Sequence, residues 1–192
     1  MKAYYDARAP EYDEWYLGVG RFAERDRPFW DEELAQVVDV VAALPPLRTL
    51  DVACGTGFLT RHVRGAVVGL DQSHRMLELA GRHVEVVQGD ALELPFPDGA
   101  FDRVFTASFY GHLEAGERDR FVAEARRVAP ELVVVDAAVR DDVAPEEVQE
   151  RVLNDGSRWH VYKRFFTPDG LAAELGGGRV LHAGRWFVAV AA

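Results

Sequence analysis

Residues 49–57 read Thr49-Leu50-Asp51-Val52-Ala53-Cys54-Gly55-Thr56-Gly57. The apolar run that leads in from Leu47 reads as a strand, and residues 58–64 read as a helix. Gly55 and Gly57 let the backbone turn sharply between the two and let a ligand lie against the main chain. In an open parallel sheet, a turn at the carboxyl end of a strand is where ligands bind. The same glycines also suffice for a tight strand-to-helix turn that binds nothing. Two phosphate motifs do not fit. The dinucleotide fingerprint needs a third glycine for helix–strand packing, and here Phe58-Leu59-Thr60 follow. A P-loop needs Gly-Lys-Ser or Gly-Lys-Thr, which is absent. Asp51 repels a pyrophosphate and suits a ligand carrying an ammonium or another positive charge.

On either side of this turn the chain alternates. Residues 66–70 form an apolar run ending at Asp71. Ser73 is placed to cap a helix running to residue 82, with Met76, Leu77 and Ala80 on one face. Residues 84–87, 101–107 and 132–135 read as further strands, and residues 117–128 as an amphipathic helix. Near-continuous apolar strands separated by helices imply a mostly parallel sheet covered on both faces. The end departs from this rhythm. Thr167 caps a helix over 168–175, and residues 179–183 and 186–191 read as a hairpin, so an antiparallel element completes the sheet. The fold class is therefore α/β, doubly wound, with a mostly parallel seven-stranded sheet and an antiparallel C-terminal hairpin. The first 44 residues read as helices, with a second helix beginning at Pro10 and an apolar face over 29–44 that stops at Pro45-Pro46. No internal repeat or linker divides residues 1–192.

Acidic residues mark the strand ends. Asp71 stands twenty positions after Asp51, where an acid can accept both hydroxyls of a ribose. Asp90, in Gln88-Gly89-Asp90-Ala91, ends the third strand and is placed to accept from an adenine amino group. Each carboxylate alone reads equally as a surface residue or a helix cap. Three in a row beside a glycine turn read as a binding rim.

These segments, together with Leu94-Pro95-Phe96 and Phe101-Asp102-Arg103-Val104, resemble the class I methyltransferases that use S-adenosylmethionine (SAM). The resemblance covers nearly the whole chain. It extends to the small-molecule subgroup of the ubiquinone and menaquinone methyltransferases, whose tyrosine-rich opening helix resembles Tyr5-Asp6-Ala7-Arg8-Ala9-Pro10-Glu11-Tyr12-Asp13. The resemblance implies a Rossmann-like fold and SAM as cofactor, with S-adenosylhomocysteine (SAH) as product. The turn with Asp51, Ala53, Gly55 and Gly57 would cradle the methionine moiety, Asp51 lying near its ammonium. Asp71 would hold the ribose, with Gln72 and Met76 beside the ring. Asp90 would read the adenine amino group, and the backbone of Ala91 a ring nitrogen. Thr106, Ala107 and Ser108 would line the methionine side, and Tyr12 would cover the cofactor. It also implies that residues 1–44 form a lid and residues 138–167 a substrate-side insertion. Ala53 replaces a glycine common in the family, a departure that looks minor. Cys54 reads as a packed thiol, because Asp51 beside it disfavours a thiolate.

On the substrate side the resemblance points to the loop Ser108-Phe109-Tyr110-Gly111-His112-Leu113. His112 falls where the subgroup often has the second of two histidines, and Gly111 replaces the first. His112 is a candidate base near neutral pH, or a histidine hydrogen-bonded within its loop. His160 is a second candidate. Trp159, Tyr162, Phe165 and Phe166, with Phe109 and Tyr110, either wall an apolar acceptor or belong to the core. Arg158, Lys163 and Arg164 either hold a substrate carboxylate or phosphate or form a solvated face. No metal set of the catechol type, no paired glutamates of the protein-arginine type and no DNA-methyltransferase Asn-Pro-Pro-Tyr motif are found, which leaves a metal-independent reaction on a small molecule. A cofactor-binding protein without turnover and a nicotinamide-dependent reductase are the competing readings.

Composition sets the outer bounds. With 48% hydrophobic and 28% charged residues, the chain has the make-up of a globular domain. Its 22 basic and 32 acidic residues give a net charge of −10, against a large polyanionic partner such as nucleic acid. One cysteine excludes an internal disulfide and a thiolate-rich metal site. No apolar run is long enough to span a membrane, and the polar, aromatic N-terminus is unlike a signal peptide; a cytoplasmic location is the expectation.

Overall fold

The strand that begins at Leu47 lies at the centre of the molecule. A computed structural model describes residues 1–192. In chain order it contains helices α1 (Lys2–Arg8), α2 (Glu14–Leu17) and α3 (Trp30–Ala42), then strands β1 (Leu47–Val52) and β2 (Gly65–Asp71). Helix α4 (His74–Ala80), β3 (Glu85–Gln88), β4 (Arg103–Ala107), α5 (Ala115–Val128) and β5 (Glu131–Ala137) follow. The remainder is β6 (Glu146–Val152), β7 (Arg158–Arg164), α6 (Pro168–Glu174), β8 (Arg179–Ala183) and β9 (Phe187–Ala191).

Seven strands form one sheet in the order β3-β2-β1-β4-β5-β9-β8. All its pairings are parallel except those made by β9, which runs antiparallel to both β5 and β8. Near-continuous apolar strands are explained by two covered faces. Val133 and Val135 pack with Val37 and Val41 of α3 on one side. Leu132 and Val134 pack with Phe121, Ala125 and Val128 of α5 on the other. Strand order reverses between β1 and β4, and the register Val52↔Leu70 brings the ends of β1 and β2 level beside that switch point. Loops leaving neighbouring strands in opposite directions open a crevice there.

Two readings of the sequence are corrected. The helix expected over 58–64 is a single 3-10 turn, Thr60–His62. The crossover must travel back along β1 to set Gly65 opposite Leu47, a distance of about 17 Å for five strand residues. Seven helical residues cover only about 10 Å, so the segment runs more extended. Pro10 does not open an α-helix: it sits in a 3-10 turn over Ala9–Glu11, and α2 starts at Glu14. The β6–β7 hairpin, a separate two-stranded sheet inside residues 138–167, is an element the sequence reading did not include. The caps hold as read, Ser73 accepting from the Met76 N–H at 3.2 Å and Thr167 from the Gly170 N–H at 3.0 Å.

The N-terminal segment is tied across the sheet by polar contacts. The buried Glu33 carboxylate of α3 accepts from the backbone N–H groups of Arg185, Trp186 and Phe187 at 2.8–3.0 Å. No helix is long and apolar enough to cross a membrane.

Candidate functional site

The ends of β1, β2 and β4 and the N-terminal helices line a pocket at the carboxyl edge of the sheet. Tyr5 and Tyr12 wall it from the N-terminal side, Ala53, Gly55, Asp71 and Gln72 from β1 and β2, and Gly89, Ala91, Ser108 and Phe109 from the loops beyond. A smaller pocket adjoins it, sharing Tyr12 and Ala53 and reaching Asp51, Phe58 and Ala107.

Two buried carboxylates set the electrostatics. Asp51 is 2% exposed. Its Oδ2 accepts from the Thr60 hydroxyl at 2.5 Å, while its Oδ1 is buried with no hydrogen-bond partner. Burial, with the charge of Asp71 adding to it, pushes the Asp51 carboxyl up to about 8. Asp71 is also raised, by burial, although it accepts from the Gly55 N–H at 3.0 Å and the Ser73 N–H at 2.8 Å. An orphaned buried carboxylate oxygen is costly unless a donor meets it. The site therefore favours a cation or a strong donor.

The backbone around these acids is strained. Ala53, at the end of β1, has φ +58°, and Ser108, at the end of β4, has φ +56°. L-residues rarely adopt this conformation, and it is found at functional turns. Alanine in place of the family's glycine is thus a larger departure than the sequence suggests. Ala53→Gly removes a penalty of about 1–2 kcal/mol, offset in part by the looser unfolded chain. The expected net gain of about 0.5–1 kcal/mol would appear as a higher urea midpoint at unchanged slope. A lower midpoint would show that the Ala53 methyl packs more favourably than its backbone is strained.

Gly55 (φ +57°) has a different constraint: a Cβ there would lie 3.5 Å from the Tyr12 ring, filling the space between turn and tyrosine. The N-terminal segment is fastened to all three strand ends. The Thr56 hydroxyl donates to Asp13 at 2.5 Å, the Ser73 hydroxyl to Asp6 at 2.6 Å, and the hydroxyls of Tyr16 and Ser108 are 3.2 Å apart.

Of the residues read from sequence, Tyr12, Ala53, Gly55, Asp71, Gln72 and Ala91 line the main cavity and Asp51 the smaller one. The others lie elsewhere. Gly57 packs beneath the turn, where a Cβ would approach the Ala80 backbone at 3.3 Å. Met76 is fully buried on the inner face of α4 and lines neither cavity. Thr106 is also fully buried, its hydroxyl donating to the Val52 carbonyl at 2.7 Å, so it ties β4 to β1; Ala107 and Ser108 line the cavities instead. Asp90 is exposed at the rim and accepts from the Leu92 N–H at 2.8 Å. Cys54 packs its sulfur where a Cβ on Gly69 would stand, and burial pushes its thiol up.

The substrate-side expectations change more. His112 Nδ1 lies 2.7 Å from the Tyr162 carbonyl, which only accepts, so Nδ1 carries the proton. Burial and the charges of Lys163, Arg151 and Arg8 hold the ring well below the usual histidine range. It does not line the cavity. His160 is exposed on the outer face of β7, alternating with the buried Val161 and Lys163. Of the six aromatic residues, only Phe109 lines the cavity. Tyr110 and Phe166 belong to the core, Phe165 is buried, Trp159 packs on Tyr4, and Tyr162 turns outward to Glu146. The three cations are engaged: Arg158 with Glu150, Arg164 with Glu174, and Lys163 in a buried pair with Asp136 at 2.5 Å. The β7 backbone explains the missing first histidine. A Cβ on Gly111 would lie 2.5 Å from the Arg164 carbonyl and 3.0 Å from Lys163 Nζ.

Tyr5 escaped the sequence reading as a lining residue. The signal was present: Tyr5 and Tyr12 are seven residues apart, two helical turns, and share one face of the N-terminal segment.

Residues 50–131 match the methyltransferase domain family. Over 136 residues the chain is 38% identical to a demethylmenaquinone methyltransferase of Renibacterium salmoninarum, covering 67% of this chain and 53% of that protein. The chain spans about half the length of the curated relatives it matches. Among solved structures, the DhpI–SAH complex is 30% identical with a TM-score of 0.72, covering 98% of this chain and 92% of that one. The DhpI–SAM–HEP complex is 28% identical with a TM-score of 0.76, covering 99% and 94%.

Proposed function

The chain belongs to the class I S-adenosylmethionine-dependent methyltransferases, and from that membership we propose that it transfers the methyl group of SAM to a small-molecule acceptor. The observation that carries this reading is the unpartnered Oδ1 of Asp51, a buried carboxyl oxygen that no donor of the chain meets. An amino-acid ammonium supplies the missing donor and the opposite charge together. Gly55, Ala53 and Tyr12 leave room for the methionine chain beside it. Asp71 retains acceptor capacity for ribose hydroxyls beyond its two backbone donors. In this reading the Ala91 backbone, which lines the cavity, meets the adenine, with Asp90 at the exposed rim beyond it.

When bound, SAM supplies the electrophile: the acceptor's lone pair takes the methyl carbon, the C–S pair stays on sulfur, and SAH remains. The chain's own contribution is geometry and dryness. Holding the acceptor close and in line can supply about 7–11 kcal/mol. Tyr5 and Tyr12 close the cavity above and Phe109 excludes water below. In this reading residues 1–44 act as the lid and residues 138–167 as the substrate-side insertion. No histidine lines either cavity, which suits an acceptor that is nucleophilic without a general base.

Calorimetric titration with SAH and with NADPH tests the ligand. SAH is expected to bind and NADPH is not; the reverse would overturn the reading. Asp71→Ala should weaken SAH about 10- to 100-fold, the loss of a charged hydrogen-bond partner. Unchanged affinity in a folded variant would remove Asp71 from the site. Product formation with a methyl acceptor separates an enzyme from a cofactor-binding protein without turnover.

A further inference from the structure

Three arginines in this chain are buried: Arg8, Arg103 and Arg118. Arg103 pairs with Glu131 and Arg118 with Glu174, but Arg8 pairs with no carboxylate. Arg8 is 7% exposed, and its Nε has no hydrogen-bond partner. Its Nη1 donates to the Tyr4 hydroxyl at 2.7 Å, and Arg151 of β6 donates to that same oxygen at 3.3 Å. Two guanidinium groups thus converge on one neutral phenol. Glu11, a turn beyond Arg8, is engaged by the Asn154 N–H at 2.7 Å. The only side chain to which Arg151 hydrogen-bonds besides Tyr4 is Gln149, at 3.0 Å. In a chain of net charge −10, neither guanidinium of this corner makes an ion pair with a carboxylate.

The corner adjoins the proposed methyl-transfer site. The Arg8 guanidinium carbon stands 5.3 Å from the centre of the Tyr12 ring, and Tyr12 lines the cavity. Tyr4 packs edge-on against Tyr5, another lining residue, at 4.9 Å. Rings of Tyr4, Tyr12 and Phe22 around Arg8 supply cation–π attraction, which is weaker than the cost of burying an unpaired ion. Paired guanidinium forks match the oxygens of a carboxylate or a phosphoryl group.

We propose that the acceptor carries an oxyanion, a carboxylate or a phosphoryl-type group, and that Arg8 and Arg151 hold it against the tyrosine wall of the cavity. This rests on the methyl-transfer reading. It also fits a cavity without a histidine, because an oxyanion needs no base to be nucleophilic.

The test is calorimetric titration of methylphosphonate and of acetate at millimolar concentration, with and without SAH, into the whole protein and into Arg151→Gln and Arg8→Lys variants. At least one oxyanion should saturate, and the one that does assigns phosphoryl or carboxylate chemistry. Arg151→Gln should weaken it tenfold or more while SAH affinity changes less than threefold. Arg8→Lys, which keeps the charge but not the fork, should weaken it less. The neutral ester methyl acetate should not bind. Absence of binding by both anions, or equal affinity in the Arg151 variant, overturns the proposal. Failure of SAH to bind counts against the methyl-transfer reading alone, since the anion titrations are also run without it.

Discussion

Asp51→Asn should stabilise the ligand-free protein at neutral pH and weaken SAH at least tenfold. The two effects have one cause. The Asp51 carboxyl is raised by burial to about 8, against about 4 in an unfolded chain. For an acid raised on folding, the contribution to stability is fully present below pH 4 and is lost as pH climbs towards 8. Each pH unit between these values removes about 1.4 kcal/mol, so by pH 7 the loss is of the order of 3 kcal/mol once local relaxation is allowed for. Asparagine mimics the protonated acid and can keep the Thr60 bond, and it does not ionise. Denaturation at pH 7.5 should therefore show the variant more stable by a few kcal/mol, and denaturation near pH 4 should show little difference. The amide lacks the charge an ammonium needs, so affinity falls. In the native protein, SAH binding should also release a proton between pH 5 and 8, seen as a buffer-dependent binding enthalpy that the variant lacks. A variant less stable than the parent at pH 7.5 would show that the carboxylate is already compensated in the free protein.

The parts of this site that could be read from sequence are local ones. Gly55 and Gly57 at the end of an apolar run, and acids at successive strand ends, are set by backbone and spacing, so Asp51, Gly55 and Asp71 were legible. Side-chain direction at a strand's end was not. Thr106 and Ser108 differ by two residues, and only the left-handed turn at Ser108 sends one under the sheet and the other to the cavity. The hairpin β6–β7 was missed for a related reason. Its half-buried positions on β6 include Glu147, Gln149 and Arg151, while Val148 faces outward and is 62% exposed. Reading period-2 hydrophobicity assigns the apolar residues to the inner face, and here the inner face is polar. The same inversion hid Arg151. The partners of Lys163 and Arg164 lie on other elements, so no local pattern distinguished buried pairs from a solvated face.

Lys163→Met should cost about 3–5 kcal/mol of stability, the range for a buried pair that loses one member. Asp136 is fully buried at the end of β5. Its Oδ1 takes the Lys163 ammonium at 2.5 Å and the Ala137 N–H at 2.7 Å, and its Oδ2 takes the Gly111 N–H at 2.8 Å. Burial holds the Lys163 ammonium below its usual range even with the carboxylate beside it, a sign of how little water reaches the pair. Methionine fills the lysine stem but leaves the carboxylate without a counter-ion. The double variant Asp136→Asn/Lys163→Met removes both charges and should recover most of the loss, because a neutral pair of similar volume is often as stable as a buried ion pair. A double-mutant cycle measured by urea denaturation gives the coupling directly. The pair also fixes the Gly111 N–H, and through it the turn bearing His112 below Phe109. The single variant should thus lose acceptor binding more than SAH binding, since Asp51 and Asp71, the acids proposed for the cofactor, lie on β1 and β2. A loss below about 1 kcal/mol for Lys163→Met would mean that the carboxylate is solvated or protonated, and that Gly111 is kept for space alone.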